Sequence, residues 1–363
     1  MANLFSSIFK KGLSSSRLAV DIGTTSIKMV EMGKGEKGPE VTNYGILESS
    51  GYLARANQAL QTSNLKIFES DMVQLLKTLV NEMQPGTTQA SASLPLFSVF
   101  TTIIDFPRMD EKEIQKALVY QARQYVPLPI EQVALDWLML KQYQDDKGFD
   151  HQKILLISVP REQITRYQRM FSAAGLNLGT LEIETLSLSR LLAGDPTPTL
   201  MLDIGSRSSN IIFLEGGSLQ WNVQTDFASF SLTQALASSL QINPMRAEEL
   251  KKEKGITGTG PNYELSTIML PFLDAIMNEV KKAQFLYHEQ LPLARPAERM
   301  VLSGGGANLL GIEKYLEREF GIPVVKSDAF SKLIYPETIA PFVPELGATM
   351  GVAIGLGLKD FSN

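Results

Sequence analysis

Residues suited to holding a charged ligand gather near the start of the chain. In LAVDIGTTSIKMVEM, residues 18–32, an apolar run reaches Asp21, Gly23 follows, hydroxyls come at Thr24 and Thr25, and the apolar pattern resumes. The N–H groups and hydroxyls of such a turn converge on an anion, and a glycine lets backbone approach a phosphate closely. The carboxylate of Asp21 suits a magnesium ion held through water. A single D-I-G is most often an ordinary strand end. Its return 182 residues later changes that reading: LMLDIGSRSSNIIFLEGG carries Asp203, Gly205 and Ser206 in the same order.

Each copy reads as apolar strand, hydroxyl-rich turn, apolar strand, the pattern of a β-hairpin with glycine at its turn. Two related halves are expected, with facing hairpins that clamp a triphosphate and with Asp21 and Asp203 as its metal-holding carboxylates. A third element, residues 299–324, reads as a buried strand, three glycines at Gly304, Gly305 and Gly306, and a helix from near Asn308. Bare backbone there would let a base and ribose lie against the chain; a tight strand-to-helix turn is the plainer alternative. No G-K-[ST] follows, so this is not a Walker loop.

Such hairpins need a scaffold to face one another. At 363 residues the chain exceeds the roughly 250–300 at which single cores stop growing, so two or more packed units are expected. With 34 basic and 39 acidic residues, the net charge of −5 offers no footprint for nucleic acid. Cysteine is absent and His151 and His288 are the only histidines, which excludes thiol nucleophiles, disulfides and Cys/His zinc sites. A metal must sit on oxygens. No apolar run reaches the roughly 18–20 residues of a membrane span. The N-terminus has no secretory pattern, so a cytoplasmic protein is expected. Leu4, Phe5, Ile8 and Phe9 could share one face of a short helix, frayed, docked on a partner or grazing a membrane.

Between the two D-I-G copies, MDEKEIQKALVYQARQYV sets Ile114, Leu118 with Val119, Ala122, and Tyr125 with Val126 on one stripe, and Pro127 ends the helix. SVFTTIIDF and VALDWLML alternate on either side like strands. A strand, helix, strand module is expected, closing at the polar loop of residues 144–152.

With segments 21–28, 203–210 and 303–308 in this order, the chain resembles the actin-like ATPases, which include actin, sugar kinases, heat-shock chaperone ATPases, MreB and FtsA. The resemblance implies a two-lobed α/β fold of the actin-like ATPase (duplicated ribonuclease H-like) class with an FtsA-type 1C subdomain. It implies ATP and Mg2+ as cofactors. Asp21, Gly23, Thr24, Thr25 and Lys28 would form the first phosphate motif, and Asp203, Gly205 and Ser206 the second. Gly304, Gly305, Gly306 and Asn308 would form the adenosine motif. In AEELKKEKG, residues 247–255, Glu248 would meet the ribose and Lys251 the base or phosphates; a solvated charged helix is the alternative.

Residues 99–140 and 154–192 are similar to the PilM family of type IV pilus assembly, and the likeness covers nearly the whole chain. It implies as partner the N-terminal cytoplasmic peptide of the inner-membrane protein PilN, held in a groove between subdomains 1A and 1C. Phe97, Phe100, Tyr120 and Tyr125 are candidate groove walls, against the commoner core role of such aromatics. Further inner-membrane pilus components and a peripheral place at the inner membrane follow from the same resemblance, with self-association left open. The implied division is a tail at 1–12, 1A at 13–97 and 157–197, 1C at 98–156, 2A at 198–232 and 297–363 with the C-terminal helix, and a helical 2B at 233–296.

Hydrolysis needs a group that orients or deprotonates water. Relatives commonly show D-x-G-G-G-T-x-D in the second loop, whereas this chain has D-I-G-S-R-S-S-N, with Asn210 where a second aspartate would stand. Arg207 is expected to point to solvent, with phosphate neutralisation the alternative. Asp203 and Glu184, the latter near where relatives place a water-orienting residue, are the catalytic candidates. Mg-ATP binding with slow or negligible turnover is expected. An FtsA-like polymer former would end in a basic amphipathic helix that LGLKDFSN does not resemble, and a small-molecule kinase would need a substrate loop not evident here.

Overall fold

The computed structural model describes residues 16–48, 69–256 and 263–361. The expected N-terminal stripe of Leu4, Phe5, Ile8 and Phe9 lies outside the described residues. In the first half come β1 (Ser16–Ile22), β2 (Ser26–Gly35), β3 (Gly38–Glu48), α1 (Glu69–Met83), β4 (Gln89–Leu94), β5 (Phe100–Pro107), α2 (Glu111–Ala122), β6 (Val133–Gln144), β7 (Asp150–Pro160), α3 (Arg161–Ala173), β8 (Asn177–Ile183) and α4 (Glu184–Leu191). The second half holds β9 (Thr199–Ile204), β10 (Ser209–Glu215), β11 (Ser218–Thr225), α5 (Ser229–Leu240), α6 (Pro244–Lys254), α7 (Tyr263–Gln290), β12 (Arg299–Ser303), α8 (Ile312–Phe320), β13 (Val324–Lys326), α9 (Val343–Thr349) and α10 (Gly351–Gly357).

The sheets repeat one plan. The first is ordered β3-β2-β1-β4-β8 and the second β11-β10-β9-β12-β13. In each, a three-strand antiparallel meander is followed by two parallel strands. The duplication read from D-I-G is thus a duplication of whole sheets. Strand β9 shows why both faces are apolar: Leu200, Leu202 and Ile204 pack with α5, α7 and α8, while Met201 faces a core shared with the first sheet. A strand buried on both sides reads as a continuous apolar run rather than an alternation.

Helices α4 and α10 cross at the junction of the halves. A Cβ at Gly355 would lie 2.0 Å from the Ser187 carbonyl oxygen, so glycine is what lets these helices touch. The glycines of the C-terminal apolar segment therefore serve close packing. Among the described residues no single helix is long and apolar enough to cross a membrane. Below the crossing, fully buried Glu182 takes both Arg190 terminal nitrogens, at 2.9 and 3.0 Å, and Lys359 Nζ at 2.9 Å. Burial raises its carboxyl, yet Arg190 and Lys359 outweigh that and hold it below the usual range. The carboxylate bolts the C-terminal segment to the first half.

The small lobe differs from the expected strand, helix, strand. It is a three-stranded sheet ordered β5-β7-β6, with β7 central and antiparallel to both neighbours. The expected loop at 144–152 is shorter: the Asp145 carboxylate gathers the N–H groups of Lys147 and Phe149, at 2.9 and 2.8 Å, and β7 begins at Asp150. Its polar start hid the third strand. The same strand runs to Pro160, past the expected boundary at 156, and leads into α3. Helix α2 opens with a capping box between Asp110 and Glu113 and ends at Ala122, short of Pro127. Val119, on the outer side of that helix, and Tyr125, beyond its end, are exposed, while Ile114, Leu118, Ala122 and Val126 join the lobe's core.

Candidate functional site

The two D-I-G turns share one backbone geometry. Gly23 N–H donates to the Ser26 carbonyl at 2.9 Å, and Gly205 N–H donates to the Ser208 carbonyl at 3.0 Å. A Cβ at Gly205 would stand 2.7 Å from that same carbonyl. Thr24, Thr25 and Ser206 sit half-buried at the tips. The second turn also receives the start of α5, whose Ser229 and Phe230 N–H groups donate to the carbonyls of Gly205 and Ser206 at 3.1 and 2.8 Å.

Cross-strand register then places one side chain opposite each aspartate. Asp21 faces Lys28, and Asp203 faces Asn210. Lys28 Nζ lies 3.3 Å from Asp21 Oδ2, and Ser93 on the neighbouring β4 donates to Asp21 Oδ1 at 2.8 Å. In the second half, Ser303 on β12 is the register partner of Asp203. Asn210 Nδ2 donates to Asp203 Oδ2 at 3.2 Å and to Glu184 Oε1 at 3.0 Å. Glu184 Oε1 also accepts the Leu96 N–H at 2.8 Å.

These carboxylates lie close enough for their charges to interact. Burial pushes the Glu184 carboxyl up to about 8, helped by the charges of Asp203 and Asp21. Burial also raises Asp203, with Lys28 and Asn210 opposing and Asp21 adding to the rise. Asp21 and Asp203 thus both feel the charge of one cation, Lys28. Oxygen donors with excess negative charge suit a hard divalent cation such as Mg2+, although among the described residues no group of three or more such side chains is gathered around one point.

The glycine turn after β12 meets the second hairpin directly. Gly304 has φ +81°, and a Cβ there would lie 2.5 Å from the Ile204 carbonyl oxygen and 2.9 Å from Asp203 Oδ1. At Gly306 the overlap would be with Ile204 Cγ2, at 2.3 Å. Gly305, by contrast, faces open space. Two of the glycines therefore let the turn pack on β9, and the third leaves bare backbone on the surface. The helix expected from Asn308 starts later: a 3-10 turn covers Gly305–Asn308 and α8 begins at Ile312. Asn308 Nδ2 donates to the Glu345 carbonyl and Thr349 Oγ1, at 3.2 and 3.1 Å, tying the turn to α9.

Helix α6 is not a freely solvated charged helix. Lys251 is buried, and its Nζ donates to Ser229 Oγ, Thr233 Oγ1 and Glu248 Oε2 at 2.7, 2.9 and 2.7 Å. Those contacts use the three donors of an ammonium. Burial raises Glu248, but Lys251 and the Thr233 hydroxyl more than compensate and hold its carboxyl low. In this structure both side chains fasten α6 to α5. Arg207 also departs from expectation: it is half-buried with its guanidinium 4.5 Å from the Phe230 ring centre, and burial lowers it to about 10.

Sequence reasoning missed Ser93, and with it the serine beside each aspartate. The signal was available in QASASL, where the hydroxyls of Ser91 and Ser93 alternate with apolar residues in a strand that buries both. It also missed that Lys28 and Asn210 occupy the same place in their hairpins.

Paired sheets of identical order, each with a D-I-G hairpin at the junction of the halves, define an actin-like ATPase fold. The family model described as type IV pilus assembly protein PilM matches residues 19–361, so the chain belongs to the PilM family. Among solved structures it is similar to a PilM-PilN type IV pilus biogenesis complex, with TM-score 0.79 and 21% identity over 96% of this chain and 99% of that one. It is also similar to MreB5 of Spiroplasma citri bound to AMPPNP, with TM-score 0.54, 13% identity, and 96% and 97% of the chains covered. The ethanolamine utilization protein EutJ from Carboxydothermus hydrogenoformans matches with TM-score 0.52 and 16% identity over 97% and 94%.

Proposed function

We propose that this protein is a cytoplasmic Mg-ATP-binding scaffold of type IV pilus assembly that binds the N-terminal cytoplasmic peptide of PilN between subdomains 1A and 1C. The observation that carries the nucleotide half is the pair of matched D-I-G turns, with Asp203 of the second joined through Asn210 to Glu184 of the first half. Backbone N–H groups and hydroxyls of the turns would receive the phosphates, and Gly305 leaves room for the base and ribose. Bound Mg2+ would supply charge neutralisation and phosphate orientation, with Asp21 and Asp203 holding it through water. Glu184 is a poor general base in the ligand-free protein, because a carboxyl raised to about 8 keeps its proton at neutral pH. That supports slow or negligible turnover.

The partner half draws on the family and on the likeness to the PilM-PilN complex. Phe97, Tyr120 and Tyr125 stand exposed, available to a peptide, while Phe100 packs on the small lobe's core. An extended peptide there would gain affinity from backbone hydrogen bonds and specificity from side-chain pockets. The scaffold would sit at the inner membrane through this partner, passing nucleotide state to the assembly.

Fluorescence anisotropy of a labelled PilN N-terminal peptide, titrated with the purified chain in ATP and in ADP, tests the reading. Saturable binding is expected. No binding in either nucleotide would overturn the partner assignment.

A further inference from the structure

We propose that Asn210 and Glu184 are positioning residues that couple the second phosphate turn to the root of the small lobe, so that nucleotide occupancy sets how firmly that lobe's entry is held. The inference rests on the function proposed above and names the device by which one site would act on the other.

The contacts form an unbroken chain. Asn210 carries two amide hydrogens, and its Nδ2 reaches Asp203 Oδ2 at 3.2 Å and Glu184 Oε1 at 3.0 Å. An aspartate at 210 would donate to neither and would add a third carboxylate between them. Glu184 Oε1 then accepts the Leu96 N–H at 2.8 Å. Leu96 opens the 3-10 turn Leu96–Ser98, which feeds β5, one of the strands by which the small lobe is attached.

The turn depends on that acceptor. First amides of a helical turn have no partner within it, and the preceding residue, Pro95, gives no side-chain cap. Glu184, which follows the β8 residue paired with Leu94, does the work of a cap from the neighbouring strand end. Both halves meet at this point: β11 packs against the Leu96–Ser98 turn, and Asn222 on β11 donates to Thr185 Oγ1, next to Glu184, at 3.3 Å. A ligand that engages the oxygens of Asp203 changes what Asn210 donates to, leaving Glu184 as its remaining acceptor. The grip on Leu96 changes with it. A ligand shifts a conformational balance only through such a difference between the two forms.

A backbone deletion isolates the link from the ligand sites. Leu96→Pro removes the N–H, and the extended Pro95, at ψ 144°, is the conformation that a following proline requires. Leu96→Ala removes the same side chain and keeps the N–H. For wild type and Leu96→Ala, the peptide Kd should change about fivefold or more on adding Mg-ATP. For Leu96→Pro, each ligand alone should bind as to Leu96→Ala, but Mg-ATP should leave the peptide Kd unchanged. Leu96→Pro retaining the full change overturns the link, as does a wild type that binds both ligands independently. A wild type that binds neither ligand overturns the function proposed above, and this link with it. Should Leu96→Pro not fold, amide exchange in wild type decides: Mg-ATP should slow exchange at residues 96–99 and leave β6 unaltered, and unaltered exchange at 96–99, or equal slowing in both, overturns the proposal.

Discussion

The two hairpins share a backbone and differ in charge. Each turn closes with the same glycine-to-serine hydrogen bond, and each aspartate has a serine on the adjacent parallel strand. Opposite the first aspartate stands a cation, Lys28; opposite the second stands a neutral amide, Asn210, which leads to another carboxylate. The strands that follow diverge as well. β4 ends in Pro95 and a 3-10 turn into the small lobe, whereas β12 ends in glycines and a 3-10 turn beside the cleft. Duplication therefore preserved main-chain shape and let one register position decide electrostatics: the first side is internally neutralised, and the second is left short of positive charge.

Several substitutions would sharpen or break this contrast. The largest effect is expected where the second half has no counterpart in the first. Gly306→Ala drives a methyl into Ile204, and Gly304→Ala adds a strained φ, so each should cost about 1–3 kcal/mol or more in denaturant unfolding. A loss of similar size is expected at the charge partner. Lys28→Met leaves Asp21, 7% exposed at its side chain, without its cation, and should destabilise by about 3 kcal/mol. Asn210→Ala removes hydrogen bonds without stranding an opposite charge, and a loss nearer about 1–2 kcal/mol is expected. Equal losses at the two positions would erase the distinction.

The aspartates themselves should respond in opposite directions. Asp21→Asn strands Lys28 and should lower the ligand-free Tm. Asp203→Asn relieves a buried carboxylate already pushed toward its neutral form and should raise it. A smaller effect comes from pH. Glu184 holds its proton in the folded state up to about 8, against an ordinary 4.5, so between those values the folded form binds more protons than the unfolded one. Stability contributed by that proton falls as pH rises through this window. The decline in Tm should be weaker in Glu184→Gln. Gly305→Ala should be smallest, within about 0.5 kcal/mol, because its Cβ meets open space.

What was legible in the sequence follows from how local each feature is. The D-I-G turns could be read because strand, glycine and hydroxyls are contiguous, and their repetition implied the duplicated sheets. Ser93 lies 72 residues from Asp21, and only the parallel pairing of β1 with β4 brings them together. For Lys251 the charged run AEELKKEKG leaves a ligand role and a solvated helix both open; its burial depends on Ser229 and Thr233 of another helix. Arg207 was expected in solvent for want of any sign that Phe230 would lie beneath it. The third strand of the small lobe was hidden by its polar first residues, although its apolar stretch ILLISV was in view.

The central claim is that both turns hold one magnesium-bearing nucleotide. Isothermal titration of Mg-ATP into wild type, Asp21→Ala and Asp203→Ala, with and without Mg2+, tests it most directly. Both variants should lose at least about tenfold in affinity, close to 1.4 kcal/mol, and Asp203→Ala should also lose most of the dependence on Mg2+. If either variant binds Mg-ATP as wild type does, the turns do not share a ligand and the account fails.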